Sequence, residues 1–129
     1  MKQTTKEIGD FGEDLAVHFL RRRGYIVKER NLRVGHAEID IVAANLIDIA
    51  FVEVKTRSYD ETEWKSAPPP SLAVNADKQR LTRTAASAYL RANPTKKRPR
   101  MDVIEVWLSR ETPTKQPRVL KIHHIKAAY

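Results

Sequence analysis

The segment over residues 47–57, IDIAFVEVKTR, constrains this chain more than any other. It has the two-residue period of a strand, with Ile49, Phe51, Glu53, Lys55 and Arg57 on one side and Ala50, Val52 and Val54 on the other. Its apolar run ends in charge, and charges at the end of such a strand are costly to desolvate unless they are paired or bound to a cation. A strand of this kind sets both the fold and the place to look for chemistry.

The flanking segments predict what surrounds it. Over residues 5–23, Ile8, Phe11, Leu15, Ala16, Phe19 and Leu20 recur at helical spacing, with Thr4 or Thr5 placed to cap the helix and Gly24 to end it. Residues 25–29 read as a short strand and residues 31–36 as a turn containing Gly35. Residues 37–43 alternate, with Glu38, Asp40 and Val42 on one face and Ile39, Ile41 and Ala43 on the other. Residues 58–72 carry Pro68, Pro69 and Pro70 and predict a mobile surface loop. A second helix is expected over residues 75–92, marked by Leu81, Ala85, Ala88, Tyr89 and Ala92, followed by strands over 100–108 and 118–125. The order α-β-β-β-α-β-β predicts an α/β fold with a mixed sheet flanked by helices, as one domain spanning residues 1–129.

Composition narrows the chemistry. The 129 residues include no cysteine, which excludes a disulfide framework, a thiolate zinc site and a cysteine nucleophile, and leaves metal chemistry to Asp, Glu and His. No stretch approaches the roughly 18 apolar residues of a membrane span, and the first fifteen residues lack a signal-peptide core, so a cytoplasmic protein with no membrane partner is expected. Lys and Arg outnumber Asp and Glu by 24 to 16, a net charge of +8, which makes a polyanion the natural partner. The bases are clustered. Arg21, Arg22, Arg23, Lys28, Arg30 and Arg33 face only Glu29 within their segment, and Lys78, Arg80, Arg83, Arg91, Lys96, Lys97, Arg98 and Arg100 share theirs with no acid. Such clustering favours nucleic acid over diffuse solubilising charge.

Glu-x-Lys occurs twice, as Glu53-Val54-Lys55 and Glu63-Trp64-Lys65, against about 0.8 matches expected by chance. Only the first ends an apolar strand. If residues 37–43 pair with it as a hairpin, Asp40 approaches Glu53, and the two carboxylates repel unless a proton, Lys55 or a divalent cation offsets their charge. A metal there would polarise a phosphodiester and acidify bound water, with Lys55 positioning that water or stabilising developing charge. At 100° per residue Glu13 falls about 20° from Leu20, at the edge of the buried stripe, while Glu7, Asp10 and Asp14 face water. The same spacing also fits a plain Glu53–Lys55 ion pair on a half-solvated hairpin. Elsewhere, His36 is expected in solvent at a turn. His123 and His124 point to opposite faces, as do Asp102 and Glu105, for which a solvated or salt-bridged role is expected. Trp64 and Tyr59 are candidates to stack on an unpaired base.

Several motifs together carry a family resemblance. They are Gly9-Asp10-Phe11-Gly12-Glu13, residues 25–33, Glu38-Ile39-Asp40-Ile41-Val42, Phe51-Val52-Glu53-Val54-Lys55-Thr56-Arg57, Asp77-Lys78-Gln79-Arg80-Leu81 with Ala85-Ala86, Met101-Asp102-Val103, and His124-Ile125-Lys126-Ala127-Ala128. Nearly the whole chain, in this order, resembles the YraN-like family of bacterial predicted endonucleases, of the PD-(D/E)XK restriction-endonuclease-like superfamily related to archaeal Holliday-junction resolvases. The resemblance implies a restriction-endonuclease-like αβββαβ core and a nuclease that uses Mg²⁺ or Mn²⁺ on DNA, branched or otherwise structured. It makes Asp40 and Glu53 metal ligands, Lys55 the catalytic lysine, and Glu13 a further acid reaching the metal directly or through water. A homodimer is implied by the dimeric resolvases. Arg21, Arg22, Arg23, Arg30, Arg33, Arg57, Lys78, Arg80, Lys96, Lys97 and Arg98 are the expected DNA contacts. Two departures stand out: His36-Ala37 where the family has glycine before Glu-Ile-Asp, and Arg100-Met101-Asp102 in place of Arg-Phe-Asp. A non-catalytic nucleic-acid-binding module on the same fold, and a protein whose basic surface meets an acidic protein, are the alternative readings.

Overall fold

A computed structural model of the chain describes residues 4–70 and 75–129, so the end of the loop expected over 58–72 lies outside the described residues. Helix α1 (Thr5–Arg22) begins at a reciprocal cap. The Thr4 hydroxyl accepts from the Glu7 amide at 3.1 Å, and the Glu7 carboxylate accepts from the Thr4 amide at 3.3 Å. Then follow β1 (Ile26–Val34), β2 (Ala37–Ala44), β3 (Asp48–Tyr59), a 3₁₀ turn at Trp64–Ser66, α2 (Ala76–Ala92), β4 (Arg98–Ser109) and β5 (Val119–Ile125). No described helix is long and apolar enough to cross a membrane.

The sheet keeps chain order, β1-β2-β3-β4-β5. β3 and β4 run parallel, because α2 returns the chain to the same end of the sheet, and the other neighbours are antiparallel. The fold is therefore α/β, with a mixed five-stranded sheet and one helix on each face. Ala50, Val52 and Val54 of β3 pack with α1, Ile104 and Val106, whereas Ile49 and Phe51 pack with α2 and Met101. β3 is thus apolar on both faces until Glu53, as its sequence indicates.

Four local features differ from the sequence expectation. β1 does not stop at residue 29. It continues to Val34 past a bulge at Lys28, and only Gly35-His36 form the turn, with Gly35 at φ 61°. Its side chains on the sheet edge are mostly exposed, so no alternation announces the strand. The alternation expected in β2 breaks at Asp40: Ile41 and Ala43 pack toward α1, but Ile39 joins Ala37, Val42 and Ala44 on the α2 side. In α2 the buried stripe is Thr82, Ala85 and Ala86, while Leu81 and Ala92 face solvent. Thr82 is tolerated inside because its hydroxyl donates to the Lys78 carbonyl at 2.8 Å. Finally, Asp102 and Glu105 are buried, so the solvated role is corrected in favour of the salt-bridged one.

Arg100 is the hub of that buried polarity. Its guanidinium donates to Asp102 through Nε at 2.9 Å, to Asp48 through Nη1 at 2.7 Å and to the Tyr25 hydroxyl through Nη2 at 2.6 Å. Asp102 also accepts from His124 Nε2 at 2.7 Å and from the Ala127 amide at 2.9 Å. On the other side of β5, His123 meets Glu105 at 2.9 Å.

Two glycines of α1 differ in kind. A Cβ on Gly12 would come within 2.7 Å of Thr56 Cγ2, so helix and strand touch there only because the side chain is absent. A Cβ on Gly9 would meet nothing within 4 Å among the described residues, although glycine inside a helix costs about 1 kcal/mol relative to alanine.

Burial pushes the Asp102 carboxyl up, but His124 and Arg100 outweigh it and hold it below the usual carboxylate range. Its contribution is present above its unfolded pKa of 3.8 and is lost as pH falls through the lower folded value. Asp102→Asn is expected to lower unfolding free energy by about 3 kcal/mol at pH 7. Urea titrations at a series of pH values should show that gap narrowing below pH 3.8.

Candidate active site

β3 delivers Glu53 and Lys55 to one face beyond its apolar run, and their side chains pair at 2.9 Å between Lys55 Nζ and Glu53 Oε1. The same oxygen accepts from Lys78 Nζ. Lys78 is placed by the start of α2, where the Asn75 side chain caps its amide at 2.9 Å. Glu53 Oε2 is buried and has no hydrogen-bond partner among the described residues. Burial pushes the Glu53 carboxyl up, but Lys78 and Lys55 outweigh it and hold it below its ordinary value. Lys78 shows the converse: burial lowers its pKa, and Glu53 more than restores it.

Asp40 arrives from β2, at the point where the strand departs from β3. The β2–β3 ladder ends at Ile41 opposite Val52, and Asp40 Oδ2 takes over by accepting from the Val54 amide at 2.8 Å. No ion pair offsets its charge among the described residues. Burial raises the Asp40 pKa to about 6 against the Val54 hydrogen bond, and the charges of Glu13, Glu53 and Glu38 add to the rise.

Glu13 projects from the buried side of α1, as the helix angle predicted. Its Oε1 accepts from Arg30 Nε at 3.0 Å and Asn31 Nδ2 at 3.1 Å, and Arg30 also reaches Asp14 at 2.7 Å. Asn31 sits at φ 53°, a conformation its side chain tolerates better than most. The structure therefore brings Asp40, Glu53, Lys55 and Glu13 into one electrostatic neighbourhood, with Glu13 turned toward β1.

Among the described residues no three of the Asp, Glu and His side chains form a metal-binding group. The donor chemistry still suits a hard divalent cation at two carboxylates. Among the described residues Glu53 has a partnerless buried oxygen, and Asp40 has no ion pair.

The basic candidates divide between the two ends of the molecule. Arg30, Arg33, Arg57, Lys78 and Arg80 lie toward the carboxylates, where Arg33 reaches Glu38 at 3.4 Å, Lys78 holds Glu53 and Arg80 holds Asp77. Arg21, Arg22 and Arg23 close α1, and Lys96, Lys97 and Arg98 precede or begin β4. There Arg23 lies 4.2 Å over the Phe19 ring, Lys97 donates to the Asn45 carbonyl at 2.7 Å, and Arg98 meets Asp48 at 2.8 Å. His36 is exposed at the β1–β2 turn. Tyr59 is withdrawn from base stacking: it is buried, and its hydroxyl donates to the Pro68 carbonyl at 2.6 Å. Trp64 is half-buried, with Lys65 over its ring.

Tyr129 is the residue that motif reading missed. It packs with the α2-side core, and burial raises its hydroxyl pKa; Thr82 hydrogen-bonds that hydroxyl and Glu53 adds to the rise. A lone aromatic at position 129 carries no periodic or motif signal.

Because the folded Asp40 binds its proton more tightly than the unfolded one, its charge disfavours folding as pH rises from about 4 through about 6. Asp40→Asn keeps an acceptor for Val54 and removes that charge. It should gain about 1–2 kcal/mol at pH 8, with the advantage fading toward pH 4. Denaturant unfolding at both pH values measures this.

Comparison with known proteins gives the site a family. Residues 12–106 match the model described as "Uncharacterised protein family UPF0102", a span holding Glu13, Asp40, Glu53, Lys55 and Lys78. The chain is 39% identical over 127 residues to a UPF0102 protein of Alkaliphilus oremlandii, covering 96% of this chain and 98% of that one. It is 38% identical over 122 residues to one of Bacteroides fragilis, covering 95% and 91%, and 38% identical over 130 residues to one of Geobacter metallireducens, covering 100% and 97%. With such coverage at both ends, the chain belongs to protein family UPF0102.

Proposed function

We propose that the protein is a cytoplasmic nuclease that hydrolyses phosphodiester bonds in branched or otherwise structured DNA with Mg²⁺ or Mn²⁺. The observation that carries this reading is the buried, partnerless Oε2 of Glu53 in the charge field of Asp40, with Lys55 on the opposite oxygen of the same carboxylate. Asp40 and Glu53 would hold the cation, and Glu13 would join through water once Arg30 and Asn31 yield its oxygen. When bound, the cation would polarise the phosphodiester and acidify a coordinated water. Lys55 would neutralise charge developing on the phosphate. The Val54 amide fixes Asp40 so that its second oxygen keeps one orientation. Action as a dimer accords with the resemblance to junction resolvases.

A non-catalytic nucleic-acid-binding module draws on a different observation: Lys55 and Lys78 already neutralise Glu53. The two readings separate in one comparison of the wild type with an Asp40→Ala, Glu53→Ala double variant. The substrates are labelled linear, single-stranded, flapped and four-way-junction DNA, with Mg²⁺ or Mn²⁺. The nuclease reading expects metal-dependent cutting that falls by about a hundred-fold or more in the variant, with DNA affinity retained. It also expects divalent ions to raise the melting temperature of the wild type alone. Binding without cutting by the wild type in either metal would leave the module reading in its place.

A further inference from the structure

α1 meets β3 tightly at Gly12 and Thr56, and one turn earlier, at Gly9, the two elements part. The space between them is a groove of about 430 Å³ whose lining includes Thr5, Gly9, Lys55, Thr56, Arg57 and Ser58. One wall is an open sheet edge, because pairing with β2 ends at Val52. The Val54 amide on that edge is taken by Asp40. Strand alternation turns the Thr56 and Ser58 amides the same way, past the end of the β2 ladder. Among the described residues no acidic one lines the groove, whereas Lys55 and Arg57 do.

Gly9 points to a use for this space. Glycine in a helix interior forfeits stability that alanine would supply. Gly12 has a packing reason for that loss, and Gly9 has none, since a Cβ there would stand in open space. A missing side chain on the wall of a groove fits the close approach of something from outside.

We propose that this groove seats the sugar-phosphate backbone of a nucleic-acid strand next to the phosphate presented to Asp40 and Glu53. This inference rests on the nuclease reading. Thr56 and Ser58 amides and the Thr5 and Ser58 hydroxyls would donate to phosphate oxygens, Lys55 and Arg57 would supply charge, and Gly9 would leave room for the sugar. None of these groups reads a base edge, so the groove orients a strand without choosing its sequence.

The test replaces Gly9 with alanine and with leucine in the full chain. It measures thermal stability, then affinity for a short labelled oligothymidylate by anisotropy with EDTA present, so that no cutting occurs. Both variants should melt no lower than the wild type. Affinity should fall in order of side-chain size, by ten-fold or more for Gly9→Leu, with the slope of log affinity against log salt reduced by about one to two. Amide resonances of Thr56 and Ser58 should shift when the oligonucleotide binds the wild type. Full affinity in a folded Gly9→Leu, or shifts confined to residues 21–23 and 96–98, would overturn the groove while leaving the nuclease reading intact. A wild type that binds none of the DNA forms would remove that reading and the groove together.

Discussion

The Arg100 guanidinium ties together parts of the chain that are far apart in sequence. Through Asp48 it holds the start of β3, through Tyr25 the segment leaving α1, and through Asp102 both His124 of β5 and the amide of Ala127. A fully buried carboxylate and a nearly buried guanidinium are tolerated because each is met several times over, and removal of either would strand the other's charge. Apolar burial between sheet and helices supplies the bulk of stability, but it is non-directional. The polar hub is directional, and it aligns the beginnings of β3 and β4, from which their paired lengths run parallel toward the carboxylate cluster.

At the other end of those strands the balance reverses. Asp40 is half-buried with no ion pair among the described residues, and Glu53 has two. One neighbourhood therefore holds a carboxyl raised to about 6 and another held below its ordinary value, so the two differ in how readily they take a proton. Lys78 makes this arrangement depend on α2 as well as on the sheet, since the helix presents the ammonium from across the layer.

Much of this was legible because it is local. The two-residue period of β3 placed Glu53 and Lys55 on one face, and the helix angle isolated Glu13 from the other acids of α1. Hairpin pairing of β2 with β3 brings Asp40 toward Glu53. What escaped depends on contacts the chain makes only when folded. The second half of β1 reads as a turn because an exposed edge strand with a bulge has little alternation to detect. Thr82 displaces Leu81 from the buried stripe because a carbonyl one turn back satisfies its hydroxyl. Asp102 and Glu105 read as surface charges because their histidine partners lie about twenty residues on, in β5, and nothing local shows that Arg100 is buried beside Asp102. The basic clusters were visible as composition, but α2 and β1 each carry one cluster from one end of the molecule to the other, which composition does not show.

α2 has 17 residues and separates Lys78 and Arg80 at its start from Lys96, Lys97 and Arg98 beyond its end. Its axial length is therefore about 26 Å. At about 3.4 Å per base step, a ligand that touches both basic groups must span roughly seven to eight base pairs. Mononucleotides and short fragments can satisfy one end only. For any polyanionic ligand, length would therefore decide whether one basic group or both are engaged.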